Sequence, residues 1–348
     1  MKRLEALRKV MSEFDAFYIT GKANIFYYSG FTSEDAALVI TPDRAVIISD
    51  SRYTVQAKEQ AKGFEFFNIS EGLEKIFSEI KAKRIGYEEN YLTVGAFERL
   101  KKSAVGKEFF NAGDLISKPR REKEPEEIEK IRLAEELGDA AFSHILKHLH
   151  VGMSEKEAAF EIETFMKKNG ASGLSFETIV ASGLRSAMPH GTASDKIIGT
   201  GDFVTMDFGC VLDGYCSDMT RTVVMGKADE RQKEIYNVVL QAQNTAISSI
   251  KEGVACADVD AVARKVIEDA GYGQYFSHSL GHSVGIEIHE SPNFSPKSND
   301  FVKVGNVITV EPGIYIEGFG GVRIEDIVAI TPKNVANLTK SKKDLIII

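Results

Sequence analysis

The feature that most constrains this chain is a nine-residue peptide that occurs twice. Gly201-Asp-Phe-Val-Thr-Met-Asp-Phe-Gly209 recurs, 104 positions later, as Gly305-Asn-Val-Ile-Thr-Val-Glu-Pro-Gly313. Gly201, Thr205 and Gly209 match Gly305, Thr309 and Gly313, the positions between them stay apolar, and Asp207 aligns with Glu311. Self-similarity at a fixed offset predicts a region built from two related halves, each around a strand bounded by glycines.

Each copy is followed by a turn and a return strand that carries another acid. A hairpin through Val211-Leu212-Asp213-Gly214, centred between residues 212 and 213, sets Asp207 directly opposite Asp218. In the second copy Gly320-Gly321 introduces Val322-Arg-Ile-Glu-Asp-Ile-Val328, where Arg323 and Glu325 share a face by the two-residue period. Any one of these acids alone reads as a surface or turn residue, but four in a repeated arrangement do not. Four carboxylates converging on one partly buried pocket cannot all ionise without compensating positive charge. Divalent metal ions supply it. Oxygen-rich ligation with an occasional imidazole favours Mn²⁺, Co²⁺, Fe²⁺ or Zn²⁺ in a two-metal site over a thiolate-rich structural zinc site.

The histidines divide into two groups. His144, His148 and His150 fall on a long predicted helix, where a solvated or packing role is expected despite the four-residue spacing of the first two. His190 closes Ser186-Ala-Met-Pro-His190, and His278, His282 and His289 fall within twelve residues, with Gly281 and Gly285 between them. A lone histidine is more often a core hydrogen-bonding residue than a ligand. Three so close together, near the acid hairpins in sequence, reverse that expectation.

Length and charge bound the rest. At 348 residues the chain is expected to form two domains, and its 43 basic against 51 acidic residues argue against a general nucleic-acid or anionic-membrane binder. No 18-residue apolar run marks a membrane span, and the opening MKRLEALRKV reads as an amphipathic helix rather than a signal peptide. Three cysteines, an odd and sparse set, fit a reducing compartment, so a cytoplasmic location is expected. Residues 1–116 alternate helix and strand as a small α/β domain, with strands at Ala16 to Ile19, Ala37 to Ile40 and Ala45 to Ile48. A dense mixed-charge stretch at 117–127 reads as the linker, and Pro125 followed by Glu126 and Glu127 suits the first turn of a helix. The second domain, 128–348, reads as helix plus sheet, with helices to about 149, from Ser154 to Lys168 behind a Ser-x-x-Glu capping box, from Glu230 to Lys251, and near 258 to 270.

Taken together, the ordered set Asp207, Asp218, His282, Glu311 and Glu325 resembles the five ligands of the dinuclear pita-bread metallopeptidases. The likeness is to the prolidase and aminopeptidase P group, which cleaves the bond before proline. PHG at 189–191, HSLGH at 278–282, IHE at 288–290, EPGIY at 311–315 and GVRIED at 321–326 carry it further. In the first domain, Asn24-Ile-Phe-Tyr-Tyr-Ser-Gly-Phe31 and Asp50-Ser-Arg-Tyr-Thr-Val-Gln-Ala57 resemble that group's smaller non-catalytic domain.

The resemblance implies a small N-terminal α/β domain followed by a pita-bread catalytic domain of α/β (α+β) class, made of two related halves. It implies two divalent ions per subunit, Mn²⁺ or Co²⁺ ahead of Zn²⁺ or Fe²⁺, with Asp218 and Glu325 bridging them. Asp207 then completes one ion, and His282 with Glu311 the other. A hydroxide held between the ions is implied as the nucleophile, Glu311 as the proton shuttle to the leaving nitrogen, and His289 as a contact to the carbonyl or the intermediate. His190 and His278 are implied around the proline side of the substrate, Arg323 as an orienting group for nearby carboxylates, and Tyr315 as a weaker candidate. Such relatives are commonly dimers, which implies a homodimer. The sequence departs from the pattern at Ser283 and Leu184-Arg185, where altered substrate fit is expected, and residues 291–304 lack the arginine with which prolidases engage a dipeptide carboxylate. The competing reading is a catalytically silent pita-bread module that binds a peptide or protein.

Overall fold

A computed structural model describes residues 2–348, so Met1, the first residue of the expected opening helix, lies outside the described residues. The chain separates into two compact units, one ending at Arg120 and the other running Arg121–Ile348.

The first unit interleaves α1 (Lys2–Lys9), β1 (Ala16–Ile19), α2 (Lys22–Ser29), β2 (Ala36–Ile40), β3 (Ala45–Ser49), α3 (Thr54–Gln60) and β4 (Glu65–Asn68). It continues with α4 (Leu73–Glu79), β5 (Arg84–Tyr87), α5 (Val94–Ser103), β6 (Glu108–Asn111) and α6 (Gly113–Ser117). The strands form one six-stranded mixed sheet in the order β4-β3-β2-β1-β5-β6. β1 is central and buried along its whole length, which is why Ala16-Phe-Tyr-Ile19 reads as a continuous apolar run rather than an alternation. One face packs Tyr18, Val39, Ile48, Ile76, Phe77 and Ile85 into a single core.

In the second unit, Pro125 opens α7 (Pro125–Ile145) behind a reciprocal capping box between Glu124 and Glu127. α7 ends at Ile145, four residues short of the sequence expectation. The amides of Lys147 and His148 turn back to the carbonyls of His144 and Ile145, three residues earlier, which tightens the chain out of the helix. His148 and His150 therefore lie beyond the helix that was expected to carry them. α8 (Glu155–Lys168) starts at the predicted box, with Ser154 Oγ accepting from Glu157 N at 3.2 Å and Glu157 Oε2 accepting from Ser154 N at 2.7 Å.

The strands that follow are β7 (Gly173–Leu174), β8 (Ile179–Ser182), β9 (Phe203–Phe208), β10 (Cys210–Leu212), β11 (Tyr215–Cys216) and β12 (Met219–Val224). Two helices, α9 (Glu230–Ser249) and α10 (Cys256–Asp269), then lead to β13 (Gly281–Ser283), β14 (Glu290–Phe294), β15 (Val307–Val310), β16 (Gly313–Ile316), β17 (Gly320–Arg323), β18 (Asp326–Ile330) and β19 (Val335–Asn337). The repeated peptides become β9 and β15. β9 is the middle strand of the sheet β12-β9-β8, and β15 is the middle strand of β14-β13-β15-β18-β19. A helix pair covers each. Phe142, Ile145, Ile162, Met166, Val204 and Met206 share one core, while Ile235, Val239, Val259, Ile308, Val310 and Val328 share the other.

The register of the first hairpin differs from the sequence expectation. Leu212 pairs with Tyr215 and Asp207 with Thr220, so the turn is centred between Asp213 and Gly214 and Asp218 is not directly opposite Asp207. The cause is turn chemistry. A two-residue hairpin loop of this kind needs φ > 0 at both central positions; Asp213 (φ 49°) and Gly214 (φ 80°) adopt it, as an Asp-Gly pair does far more readily than Leu-Asp. Asp218, two residues from Thr220, lies diagonal to Asp207. Close packing also fixes the chain here: a Cβ on Gly209 would stand 1.9 Å from the carbonyl oxygen of Ser217, so only glycine fits between the two ladders.

Candidate active site

The second unit contains a cavity of about 470 Å³ whose walls include Asp207, Asp218, His282, Glu311 and Glu325 together with His190, His278, His289 and Arg323. All nine are residues singled out in the sequence, and they come from both halves. Asp207 sits on β9 and Asp218 just before β12; His282 sits on β13, Glu311 just after β15, and Glu325 between β17 and β18. β13 can reach β15 because Gly281 has no Cβ, which would otherwise stand 1.9 Å from the carbonyl oxygen of Thr309.

Within the cavity, acceptor faces acceptor. His282 Nε2 lies 3.5 Å from both Asp218 Oδ2 and Glu311 Oε1. One ligand atom from each of Asp218, His282 and Glu325 lies within 4.8 Å of the others. The remaining lone pairs are held from behind. Asp207 Oδ2 accepts from Arg323 Nη2 at 2.6 Å, Glu325 Oε2 from Thr220 Oγ1 at 2.7 Å, and Glu311 Oε1 from Thr309 Oγ1 at 3.2 Å. Thr309 Oγ1 also accepts from His282 N at 3.0 Å, and the buried Glu135 on α7 accepts the amide of Asp218 at 3.2 Å. His282 Nδ1 is 3.3 Å from Ser283 O; a proton donated there leaves the Nε2 lone pair facing the carboxylates. Asp207 Oδ1 is buried and, among the described residues, has no hydrogen-bond partner.

The electrostatics follow from this crowding. Burial first, then the neighbouring carboxylates Glu325, Asp207 and Glu311, hold Asp218 well above the ordinary aspartate range, and burial with Glu311 and Asp207 does the same to Glu325. Burial pushes Glu311 up to about 8 even though Arg323 opposes it. Burial also lowers His282 to about 4, with His289 adding to the effect, and lowers His278 to about 4, so both imidazoles are neutral at physiological pH. A buried cluster of carboxylates beside neutral imidazoles, with one oxygen lacking any donor, fits divalent cations. Oxygen and imidazole donors without thiolate suit Mn²⁺, Co²⁺, Fe²⁺ or Zn²⁺.

A second ring of contacts involves residues the sequence marked weakly or not at all. Tyr315, read as a weaker candidate, is buried with its hydroxyl 2.9 Å from His278 Nε2 and accepting from Arg323 Nη1 at 2.8 Å. Arg323 further donates to Thr220 Oγ1 at 3.1 Å and to Pro189 O at 3.1 Å, which ties the His190 loop to the carboxylates. Thr220 and Glu135 carried no sequence signal beyond their positions, although an acid on the apolar stripe of α7 formed by Ile131, Ala134, Ala141 and Phe142 could have marked Glu135. Thr309 was visible as one of the repeated residues.

The two departures expected to alter substrate fit lie off the cavity. Ser283 is buried and donates to Pro292 O at 2.7 Å. Arg185 turns to the fully buried Glu155, at 3.0 Å, and donates to Thr192 O at 2.7 Å; Leu184 is exposed. Glu155 also accepts from Ser182 N at 2.7 Å and Ser194 Oγ at 2.6 Å, so this network clamps the loop that presents His190.

The fold and cavity define a class, that of hydrolases built around carboxylate-held divalent ions at the junction of two related halves. The family model for metallopeptidase family M24 matches residues 129–332, and the creatinase/prolidase N-terminal domain matches residues 3–121. A solved Xaa-Pro dipeptidase from Bacillus anthracis is 43% identical with a TM-score of 0.97, covering 100% of this chain and 99% of that one. An X-Pro aminopeptidase structure from Thermotoga maritima is 38% identical with a TM-score of 0.92, covering 99% and 100%. A curated Xaa-Pro dipeptidase from Pyrococcus horikoshii is 41% identical over 342 residues, 95% of this chain and 94% of that protein. The chain belongs to metallopeptidase family M24, the pita-bread enzymes, and is a metallopeptidase. No described helix is long and apolar enough to cross a membrane.

Proposed function

We propose that this metallopeptidase is an exopeptidase that hydrolyses Xaa-Pro bonds in dipeptides or short peptides with two divalent ions, Mn²⁺ or Co²⁺ ahead of Zn²⁺ or Fe²⁺. The observation that carries the two-ion reading is the buried set of four carboxylates around His282, with Asp207 Oδ1 lacking a donor. The proline specificity rests on the relatives named Xaa-Pro dipeptidase and X-Pro aminopeptidase. Asp207, Asp218, His282, Glu311 and Glu325 would hold the ions, which when bound lower the pKa of the attacking water and polarise the scissile carbonyl.

The chain's own groups do the rest. Glu311, with Oε1 steadied by Thr309, receives the water's proton and passes it to the prolyl nitrogen, which must be protonated to leave. Arg323 occupies Asp207 Oδ2 and so commits Oδ1 to the cavity. His289, exposed with its ring centroid 4.4 Å from that of His282, is the contact to the carbonyl or the intermediate. His278 has Nδ1 turned to Ser279 O and Nε2 to Tyr315, so it offers the proline ring an edge rather than a free nitrogen. His190, exposed on its loop, lines the cavity and stands with His278 around the proline side of the substrate. Residues 1–116 act as a non-catalytic domain, 117–127 as a linker and 128–348 as the catalytic domain, in a cytoplasmic homodimer.

The test is hydrolysis of Xaa-Pro and Xaa-Pro-Xaa peptides after Mn²⁺ or Co²⁺ loading, with bound metal counted and Glu311→Gln as the control. The ratio of the two rates separates dipeptidase from aminopeptidase. No turnover of either peptide by a protein holding two ions would leave the silent binding module in its place.

A further inference from the structure

We propose that His144, His148 and Glu161 form a second, separate metal site that takes one zinc-like transition-metal ion and fastens the end of α7 to α8. One ligand atom from each of the three lies within 4.8 Å of the other two. None of them lines the catalytic cavity. The sequence alone had assigned both histidines a solvated or packing role.

The arrangement is built on both sides of the helix pair. His144 is in the last turn of α7 and His148 in the tightened turn beyond it, with ring centroids 4.1 Å apart. Glu161 comes from α8, and its Oε1 is 2.6 Å from His144 Nε2. Phe165, one turn further along α8, stacks on the His144 imidazole at 4.5 Å and 24°, which fixes the plane of that ring. His148 Nδ1 is 2.9 Å from the His144 carbonyl oxygen. A proton donated there leaves Nε2 as a free lone pair, the backing that ligating histidines ordinarily have.

The donor set selects the ion. Two imidazoles and one carboxylate suit zinc and its neighbours rather than Mg²⁺ or Ca²⁺, which take oxygen. Three protein ligands leave a fourth tetrahedral position for water, and Glu161 also borders an open cavity of about 290 Å³ lined by His150, Glu157 and Phe160. With zinc bonds of about 2.0–2.2 Å, ligand atoms sit roughly 3.3 Å apart, so the His144–Glu161 contact must open slightly and the widest pair must close. All three side chains reach solvent and have room to do so.

The test uses the full-length protein, stripped with chelator and titrated with Zn²⁺, with bound ions counted by native mass spectrometry. The panel is wild type, His148→Gln and, as a catalytic-centre variant, Asp218→Asn. His148 is exposed, so the first variant should fold, which circular dichroism checks. The expected result is that His148→Gln loses one zinc equivalent that Asp218→Asn retains. Zinc should also raise the Tm of Mn²⁺-loaded wild type more than that of Mn²⁺-loaded His148→Gln, and peptidase activity with Mn²⁺ should be unchanged by His148→Gln. Equal zinc counts for wild type and His148→Gln, or loss of the same equivalent in Asp218→Asn, would overturn the proposal.

Discussion

Arg323 reaches from β17 to β9 and donates to Asp207 Oδ2 at 2.6 Å, joining the two halves of the catalytic unit through a largely buried ion pair. Removing the guanidinium leaves a buried carboxylate without its partner and frees Tyr315 and the Pro189 carbonyl as well. Arg323→Ala should lower kcat/KM or metal affinity about 10- to 100-fold, the usual cost of losing an outer-shell partner of a metal ligand. Arg323→Lys should recover only part, because an ammonium cannot serve Asp207, Thr220, Tyr315 and Pro189 with one planar fork. Peptidase kinetics at several metal concentrations decide this, and wild-type values for Arg323→Ala would refute it.

Glu311→Gln keeps the shape of the site but cannot carry a proton. Activity should fall by about 10²- to 10⁴-fold, the range for loss of a general acid–base group. A glutamine variant that holds both ions and retains more than about a tenth of the activity would remove Glu311 from that role.

Metal-free protein should become less stable as pH rises from 6.5 to 8. Glu311 is raised from 4.5 to about 8, with Asp218 and Glu325 also raised, so the folded state holds protons in this window that the unfolded chain has already released. The stability tied to those protons is present at low pH and is lost as pH climbs through the folded values. His278 and His282, depressed from 6.5 to about 4, act in the opposite sense, but only between those two values. Metal-loaded protein, whose proposed ligand carboxylates would already be ionised, should show a smaller fall, keeping the part due to Glu135, which burial raises to about 8. Thermal melts of chelated and loaded samples across the window are the measurement, and parallel curves would contradict the account.

Glu155→Gln should destabilise the protein by about 1–3 kcal/mol, since it weakens a buried carboxylate's bonds to Ser182, Ser194 and the partly exposed Arg185. Because the same residue clamps the His190 loop, KM should rise more than kcat falls. An unchanged KM with a lowered Tm would make the clamp purely structural.

The sequence revealed much of this because the acids recur within a repeated, glycine-bounded strand, a pattern that survives without any neighbour being known. Asp207 and Glu311 could be read as counterparts for that reason, and β9 and β15 occupy matching places in their sheets. Register was harder. The difference between a turn at Leu212-Asp213 and one at Asp213-Gly214 is a single residue, and it is settled by which pair tolerates positive φ, so Thr220 rather than Asp218 faces Asp207. Thr220 was invisible because its partner is 105 residues away and nothing local distinguishes it, while Glu135, whose partner is 83 residues away, showed only as an acid on an apolar helix stripe, with nothing to say what it faced. Arg185 and Ser283 stood out as departures, yet their side chains serve the framework, which no linear reading of the chain could tell from a role in the cavity.

The division of the four acids between the halves has a consequence for how the enzyme responds to its ions. Asp207 and Asp218 belong to one half and Glu311 and Glu325 to the other, so neither half alone presents more than a pair. On the proposed ligand set, ion occupancy would work as a clasp: it would report that the two halves are docked and, by the same linkage, draw them together. A chelator would loosen the catalytic unit mechanically as well as silence it, and limited proteolysis between Val224 and Glu230 should speed up when the ions are withdrawn.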